Sequence, residues 1–277
     1  MDAGVMHTAN HDFAGWMRAQ LAQVESGLSR WVRLDAPAGL GEAMRYAVLD
    51  GGKRLRPLLV LAARDAVGGQ AEAALRAACA VELIHAYSLV HDDMPCMDND
   101  VLRRGKPTVH VRFGQARALL AGDALQALAF ELLTPEDGVP PAMQARLCRL
   151  LAQAAGADGM AGGQAIDLAS VVMGAACGAP GPQAEQALAQ YGAALGLAFQ
   201  VVDDVLDVTQ DSATLGKTAG KDAASDKPTY VSLMGLAAAQ AHAEELRGQA
   251  HAALAASGLS DTRALAALAD MVVRRSH

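Results

Sequence analysis

Residues 71–95 read AEAALRAACAVELIHAYSLVHDDMP, and this run decides the fold. From Ala71 to Met94 apolar residues recur at three- and four-residue spacing, without the strict alternation of a half-buried strand, so the stretch reads as one long helix. Pro95 ends it, because its ring cannot continue the hydrogen-bond ladder. The same spacing continues in both directions. Upstream, helices are expected from about Phe13 to Leu34, across Tyr46 to the Gly51-Gly52 stop, and through Pro57 to Val67. Downstream, an acidic and basic loop from Asp98 to Lys106 precedes helices at Thr108 to Leu133, Pro141 to Ala155 and Gly181 to Val208. Two more are expected at Thr229 to Ala256, with a break inside it, and at Thr262 to Arg275, with Ser260 as N-cap.

Composition agrees. Of 277 residues 52% are apolar but only 4% aromatic, and the apolar share comes chiefly from Ala, Leu and Val, which suits helices better than a sheet. No low-complexity linker divides the chain, so one all-α domain over residues 1–277 is expected. The net charge of −7 has the wrong sign for a general nucleic-acid binder. Cys79, Cys96, Cys148 and Cys177 show no C-x-x-C spacing, which argues against zinc and redox pairs and for reduced thiols in the cytoplasm. No charge-free apolar run approaches the length of a bilayer, so no membrane span is expected.

The acidic residues carry the chemistry. Val90-His91-Asp92-Asp93 and Val201-Val202-Asp203-Asp204 each place an Asp pair after an apolar helical run, and each has a further Asp downstream, Asp98 and Asp207. Asp203 and Asp207, four apart, project from one helix face with Asp204 alongside. Two such charges about 5 Å apart repel by roughly 3 kcal/mol at an effective dielectric near 20. A solvated helix end would also produce an acidic cluster, but this one lies in an apolar run and is duplicated. A hard divalent cation relieves the repulsion, and carboxylates without His or Cys select Mg²⁺ over zinc.

Cations are gathered separately. Gly51-Gly52-Lys53-Arg54-Leu55-Arg56-Pro57 sets three at a helix start, where free N–H groups favour anions, and Arg103-Arg104-Gly105-Lys106 follows the first acidic motif. These arginines could simply pair with Asp98 and Asp100; two phosphorylated substrates would also need them. His85 lies two turns before Asp92 on the same face, as either a core residue or a part of the site.

Taken together, Gly51 to Pro57, His85 to Asp98, Leu102 to Gly105, Gly162-Gly163-Gln164-Ala165-Ile166-Asp167-Leu168 and Phe199 to Asp207 resemble the trans-isoprenyl diphosphate synthases, most closely bacterial farnesyl diphosphate synthases. The resemblance runs from about Trp16 to Arg275. It implies an antiparallel helix bundle around a central cavity, a homodimer, and two Asp motifs holding three Mg²⁺ ions on an allylic diphosphate. By position, Asp92, Asp93, Asp98, Asp203, Asp204 and Asp207 would bind metal. Arg103, Lys217 and Lys227 would contact the allylic diphosphate, and Lys53, Arg56, His85 and Arg104 the diphosphate of isopentenyl diphosphate. Gln200 would face the allylic cation with its amide oxygen. The implied activity is condensation of isopentenyl diphosphate with dimethylallyl or geranyl diphosphate to farnesyl diphosphate; geranylgeranyl or geranyl diphosphate are the alternatives. Tyr87 and Ser88 lie about 6 to 8 Å further along the helix from Asp92. In the resembling enzymes a large aromatic at the Tyr87 position closes the pocket near fifteen carbons, though a core aromatic would look the same.

One departure stands out. The family carries a loop and a long helix with a Lys-Thr-Gly sequence between its Gly-Gly-Gln motif and the second Asp motif. Here Leu168-Ala169-Ser170-Val171-Val172-Met173-Gly174 follows at once, leaving the chain roughly 25 residues short, nearly 40 Å as helix. A segment missing near residues 168–171 is expected rather than a natural deletion. A true deletion would suit a non-catalytic partner subunit.

Overall fold

The computed structural model describes residues 12–49, 51–157, 159, 165–209 and 229–274. The helix read from residues 71–95 is α4, Ala71–Asp92. Before it come α1 (Phe13–Trp31), a 3-10 turn (Pro37–Gly39), α2 (Leu40–Val48) and α3 (Leu55–Val67). After it come a hairpin of two-residue strands, β1 (Leu102–Arg103) and β2 (Lys106–Pro107), then α5 (Val109–Phe113), α6 (Gln115–Leu133) and α7 (Pro141–Ala155). The chain continues through α8 (Ala165–Ala176), α9 (Pro182–Thr209), α10 (Tyr230–Met234), α11 (Leu236–Ala256) and α12 (Arg263–Val273). The expected all-α bundle is what forms.

Two of the expected helices are split by glycine. Gly114 (φ 86°) divides Thr108 to Leu133 into α5 and α6, and Gly235 (φ 85°) divides Thr229 to Ala256 into α10 and α11, since only glycine takes that backbone without strain. At the last helix the cap differs from expectation. Thr262 rather than Ser260 occupies the N-cap position, and the Asp261 carboxylate accepts from the Arg263 N–H at 3.1 Å.

α4 packs along α6 and α3, α9 along α11, and α12 closes against α11 and α9. α8 lies between α3 and α9 and also touches α4 and α7. It crosses α3 so closely that a Cβ at Gly174 would collide with the Val60 carbonyl oxygen. By length and composition α4 is apolar enough to cross a membrane, although Glu72, Arg76 and Glu82 interrupt it. Two thirds of that apolar stretch is buried here among α1, α2, α6 and α7. A second core joins α3, α8, α9, α11 and α12, and a third joins α9 to α11. Residues 168–171 lie inside an unbroken α8, with Ser170 and Val171 fully buried.

Candidate active site

The first acidic motif forms where α4 ends. The chain turns through Met94–Met97 and comes back, so that the Asp98 N–H donates to the Asp92 carbonyl at 2.8 Å. That return brings two carboxylates together from six residues apart. Burial and then the charge of Asp98 hold the Asp92 carboxyl above its usual range, with Arg103 opposing them. An all-oxygen pair whose repulsion is only partly relieved suits a hard divalent cation. Among the described residues no three carboxylates, imidazoles or thiols converge within reach of one metal. Mg²⁺ commonly completes its shell with water and phosphate oxygens, so the donor set fits an ion bound together with a diphosphate.

Asp93, expected among the metal ligands, is placed differently. It is 3% exposed, and both its oxygens accept from Arg103: Nε lies 3.0 Å from each, and Nη2 lies 2.6 Å from Oδ1. This clamp fixes the side chain of Arg103 against the end of α4. Thr108 supports the hairpin from behind, donating to the Asp100 carbonyl at 2.7 Å.

Arg104 turns the other way, at φ 52°, and donates through Nη1 to the Gly51 carbonyl. Gly52 (φ 139°) makes this approach possible, because a Cβ there would sit 2.9 Å from the same nitrogen. The two basic segments, far apart in sequence, are thus one surface. Arg56 reaches across it, its Nε 3.1 Å from Asp167 on α8 and its guanidinium 5.5 Å from the Phe199 ring centre on α9. At the centre lies His85. Burial, then repulsion from Arg56, Arg104, Arg103 and Arg54, holds its imidazole well below the usual range, hence neutral at pH 7. Three of these arginines already have carboxylate partners, Arg54 in Glu25 and Glu82, Arg56 in Asp167 and Arg103 in Asp93, so the surface offers ordered guanidinium N–H donors beside a carboxylate pair.

The second acidic motif is helical throughout. Asp203 and Asp204 are half-buried in the last turns of α9, and Asp207 is 6% exposed. Asp204 accepts from the Tyr230 N–H at 2.8 Å, which ties α9 to the start of α10. Gln200 sits one turn before Asp204. Lys217, Lys227 and the Gly162-Gly163-Gln164 stretch lie outside the described residues. Tyr87 and Ser88 are half-buried on α4; the Tyr87 ring meets His91 edge-on at 5.6 Å, and the Ser88 hydroxyl donates to the His85 carbonyl at 2.8 Å.

The polyprenyl synthetase family model matches this chain in two pieces, residues 37–174 and 168–256, which meet within α8. Geranylgeranyl pyrophosphate synthase 7, chloroplastic, of Arabidopsis thaliana is 43% identical over 305 aligned residues, covering 100% of this chain and 87% of the relative. Among solved structures, an FPP/GFPP synthase from Zymomonas mobilis superposes with a TM-score of 0.83 at 37% identity, covering 95% of this chain and 99% of that one. A geranyltransferase from Helicobacter pylori, complexed with magnesium and isoprenyl diphosphate, superposes at 0.82 with 31% identity, covering 97% and 99%.

Proposed function

This chain belongs to the polyprenyl synthetase family, the trans-isoprenyl diphosphate synthases, and from that premise we propose that it condenses isopentenyl diphosphate with allylic diphosphates. The observation that carries this reading is the hairpin that holds Arg103 on Asp93, beside the Asp92–Asp98 turn, and Arg104 on the Gly51 carbonyl, two residues before Lys53. Acidic and basic segments so joined are what a reaction between two diphosphates requires.

Each group then has a role. Asp92 and Asp98 on one side, and Asp203, Asp204 and Asp207 on the other, would hold Mg²⁺, which when bound neutralises the diphosphate as it departs. Arg103, fixed by Asp93, faces the allylic diphosphate, with Lys217 and Lys227 proposed beside it. Lys53, Arg56, His85 and Arg104 hold the second diphosphate. The double bond of isopentenyl diphosphate attacks the allylic carbon as the C–O bond breaks. The proton lost from the adjacent carbon goes to the released diphosphate, and Gln200 offers its amide oxygen to the developing cation. The working form is proposed to be a homodimer.

We propose twenty carbons for the product, in place of the fifteen expected from the sequence, because the Arabidopsis relative is named a geranylgeranyl pyrophosphate synthase at 43% identity. Tyr87 favours fifteen as the second reading, since its ring stands on α4 with His91 behind it. Incubation with isopentenyl diphosphate, geranyl diphosphate and Mg²⁺, followed by product analysis, separates them. A C20 main product is expected; a C15 product gives the second reading, and no condensation overturns both. The wall at α8 is tested by intact mass. A value of 28.6 kDa with turnover means the short wall suffices, while a chain heavier by roughly 3 kDa carries a further helical segment of about 25 residues.

A further inference from the structure

Of the three cations at the start of α3, Arg54 is the one turned inward. Lys53 is exposed and Arg56 half-buried, but Arg54 keeps only 4% of its surface open. Its Nε donates to Glu25 on α1 at 2.7 Å, its Nη1 to Glu82 on α4 at 2.6 Å, and its Nη2 to the Val48 carbonyl at the end of α2, also at 2.6 Å. The guanidinium therefore joins three helices to the first residue before a fourth. Its backbone lies at φ 47°, ψ 35°, a left-handed conformation that a non-glycine residue adopts only when its surroundings enforce it.

Stability alone does not call for this arrangement, because buried ion pairs can often be replaced by apolar side chains of similar volume without loss. What the ion pairs specify is register. Glu82 is 3% exposed and stands three residues before His85, close to one face of α4. Arg54 is bonded to Glu82, so the adjoining Lys53 and, in the first turn of α3, Arg56 are set at a fixed height along α4 relative to His85. The Gly51 carbonyl that receives Arg104 lies on the same loop.

Resting on the proposed condensation at this site, we propose that Arg54 is a positioning residue for isopentenyl diphosphate, holding Lys53, Arg56 and Arg104 in one anion site around His85. It touches no substrate itself. The allylic side is held separately, by the return turn after α4 and the Asp93–Arg103 clamp, so loss of Arg54 should fall on one substrate.

The test is steady-state kinetics on the full chain with Mg²⁺, varying isopentenyl and geranyl diphosphate in turn. Arg54→Lys keeps the charge but cannot reach three acceptors at once. We expect its KM for isopentenyl diphosphate to rise about tenfold or more, the scale of a small misplacement of binding groups. Its KM for geranyl diphosphate should stay within about twofold, as expected for groups that share no partner. If Arg54→Lys fails to fold, the double variant Arg54→Met/Glu82→Met removes both buried charges together and should show the same split. Equal rises in both KM values, or an unchanged KM for isopentenyl diphosphate in a folded variant, overturn the proposal. Calorimetric binding of isopentenyl diphosphate alone separates the two ideas. If the wild type binds it but makes no product, the reaction assignment fails, and Arg54 still stands or falls on whether the variant binds about tenfold more weakly, a difference of about 1.4 kcal/mol.

Discussion

The two acidic motifs reach similar groupings of carboxylates by different routes. The first is assembled at a helix end: α4 stops at Asp92, a turn containing Pro95 reverses the chain, and Asp98 comes back to it through one backbone hydrogen bond. The second needs no turn, since Asp203, Asp204 and Asp207 lie within five residues of one helix, α9. Their surroundings differ accordingly. The first motif is braced by charge, with Asp93 gripping Arg103 and Arg104 gripping the Gly51 loop. The second is braced by apolar packing of Val201, Val202, Val205 and Leu206 on α11, with Asp204 capping α10. The repeat in sequence is thus chemical rather than structural.

The comparison breaks at once if the two motifs are unequal in catalysis. Asp92→Asn and Asp203→Asn should each lower kcat by about 10²–10³, the usual loss when one group that stabilises developing charge is removed. Release of inorganic diphosphate from geranyl diphosphate and isopentenyl diphosphate measures it. A loss confined to one variant would show that a single motif carries the departure of the diphosphate. Binding of isopentenyl diphosphate alone should be unchanged in both.

The difference in bracing is sharpened by Asp93→Asn. Weakening the bond to Arg103, whose side chain is 27% exposed and keeps Asp100 at 4.0 Å, should destabilise the protein by about 1–3 kcal/mol, the range for a charged hydrogen bond, and raise the KM for the allylic diphosphate. The Mg²⁺ concentration for half-maximal rate should stay where it is, because Asp93 serves the arginine. Denaturant unfolding and a Mg²⁺ titration of activity check the two parts. A large shift in the Mg²⁺ requirement, with stability unchanged, would return Asp93 to the metal.

Periodicity made the long helices legible, because Ala- and Leu-rich faces repeat through α1, α4, α9 and α11 whatever they pack against. The breaks at Gly114 and Gly235 needed the φ values that glycine permits; sequence suggested the second and missed the first. α8 was not anticipated as a helix, being short and following a glycine-rich stretch. Residue types and order located the site residues, but not their partners. Nothing in Lys53-Arg54-Leu55-Arg56 says that the middle cation turns inward, for Glu82 lies 28 residues away and only the packing of α3 on α4 brings it close. The same holds for Asp93, whose neighbour Asp92 is an equally plain carboxylate until the hairpin delivers Arg103.

The smallest effect tests the apolar half of the comparison. Behind α9, Asp270 on α12 accepts from Arg247 at 3.0 Å and pairs with His251 at 2.8 Å, both on α11. Burial alone would raise its carboxyl, but the bonds from His251 and then Arg247 outweigh that and hold it below the usual carboxylate range. A carboxyl depressed by folding lends stability that is fully present above its unfolded value, near pH 4, and is lost as pH falls through the lower folded value. Its side chain is 32% exposed, so screening keeps the contribution to about 0.5 kcal/mol. Asp270→Asn should therefore cost about that much at pH 7, flatten the fall in stability below about pH 4, and leave kcat unchanged. Urea unfolding across that range measures the slope. If α9 depended on such charges as the first motif does, kcat would fall with the mutation; packing on α11 and α12 predicts that it does not, because Val272, Leu268 and Leu265 stay buried whichever side chain occupies position 270.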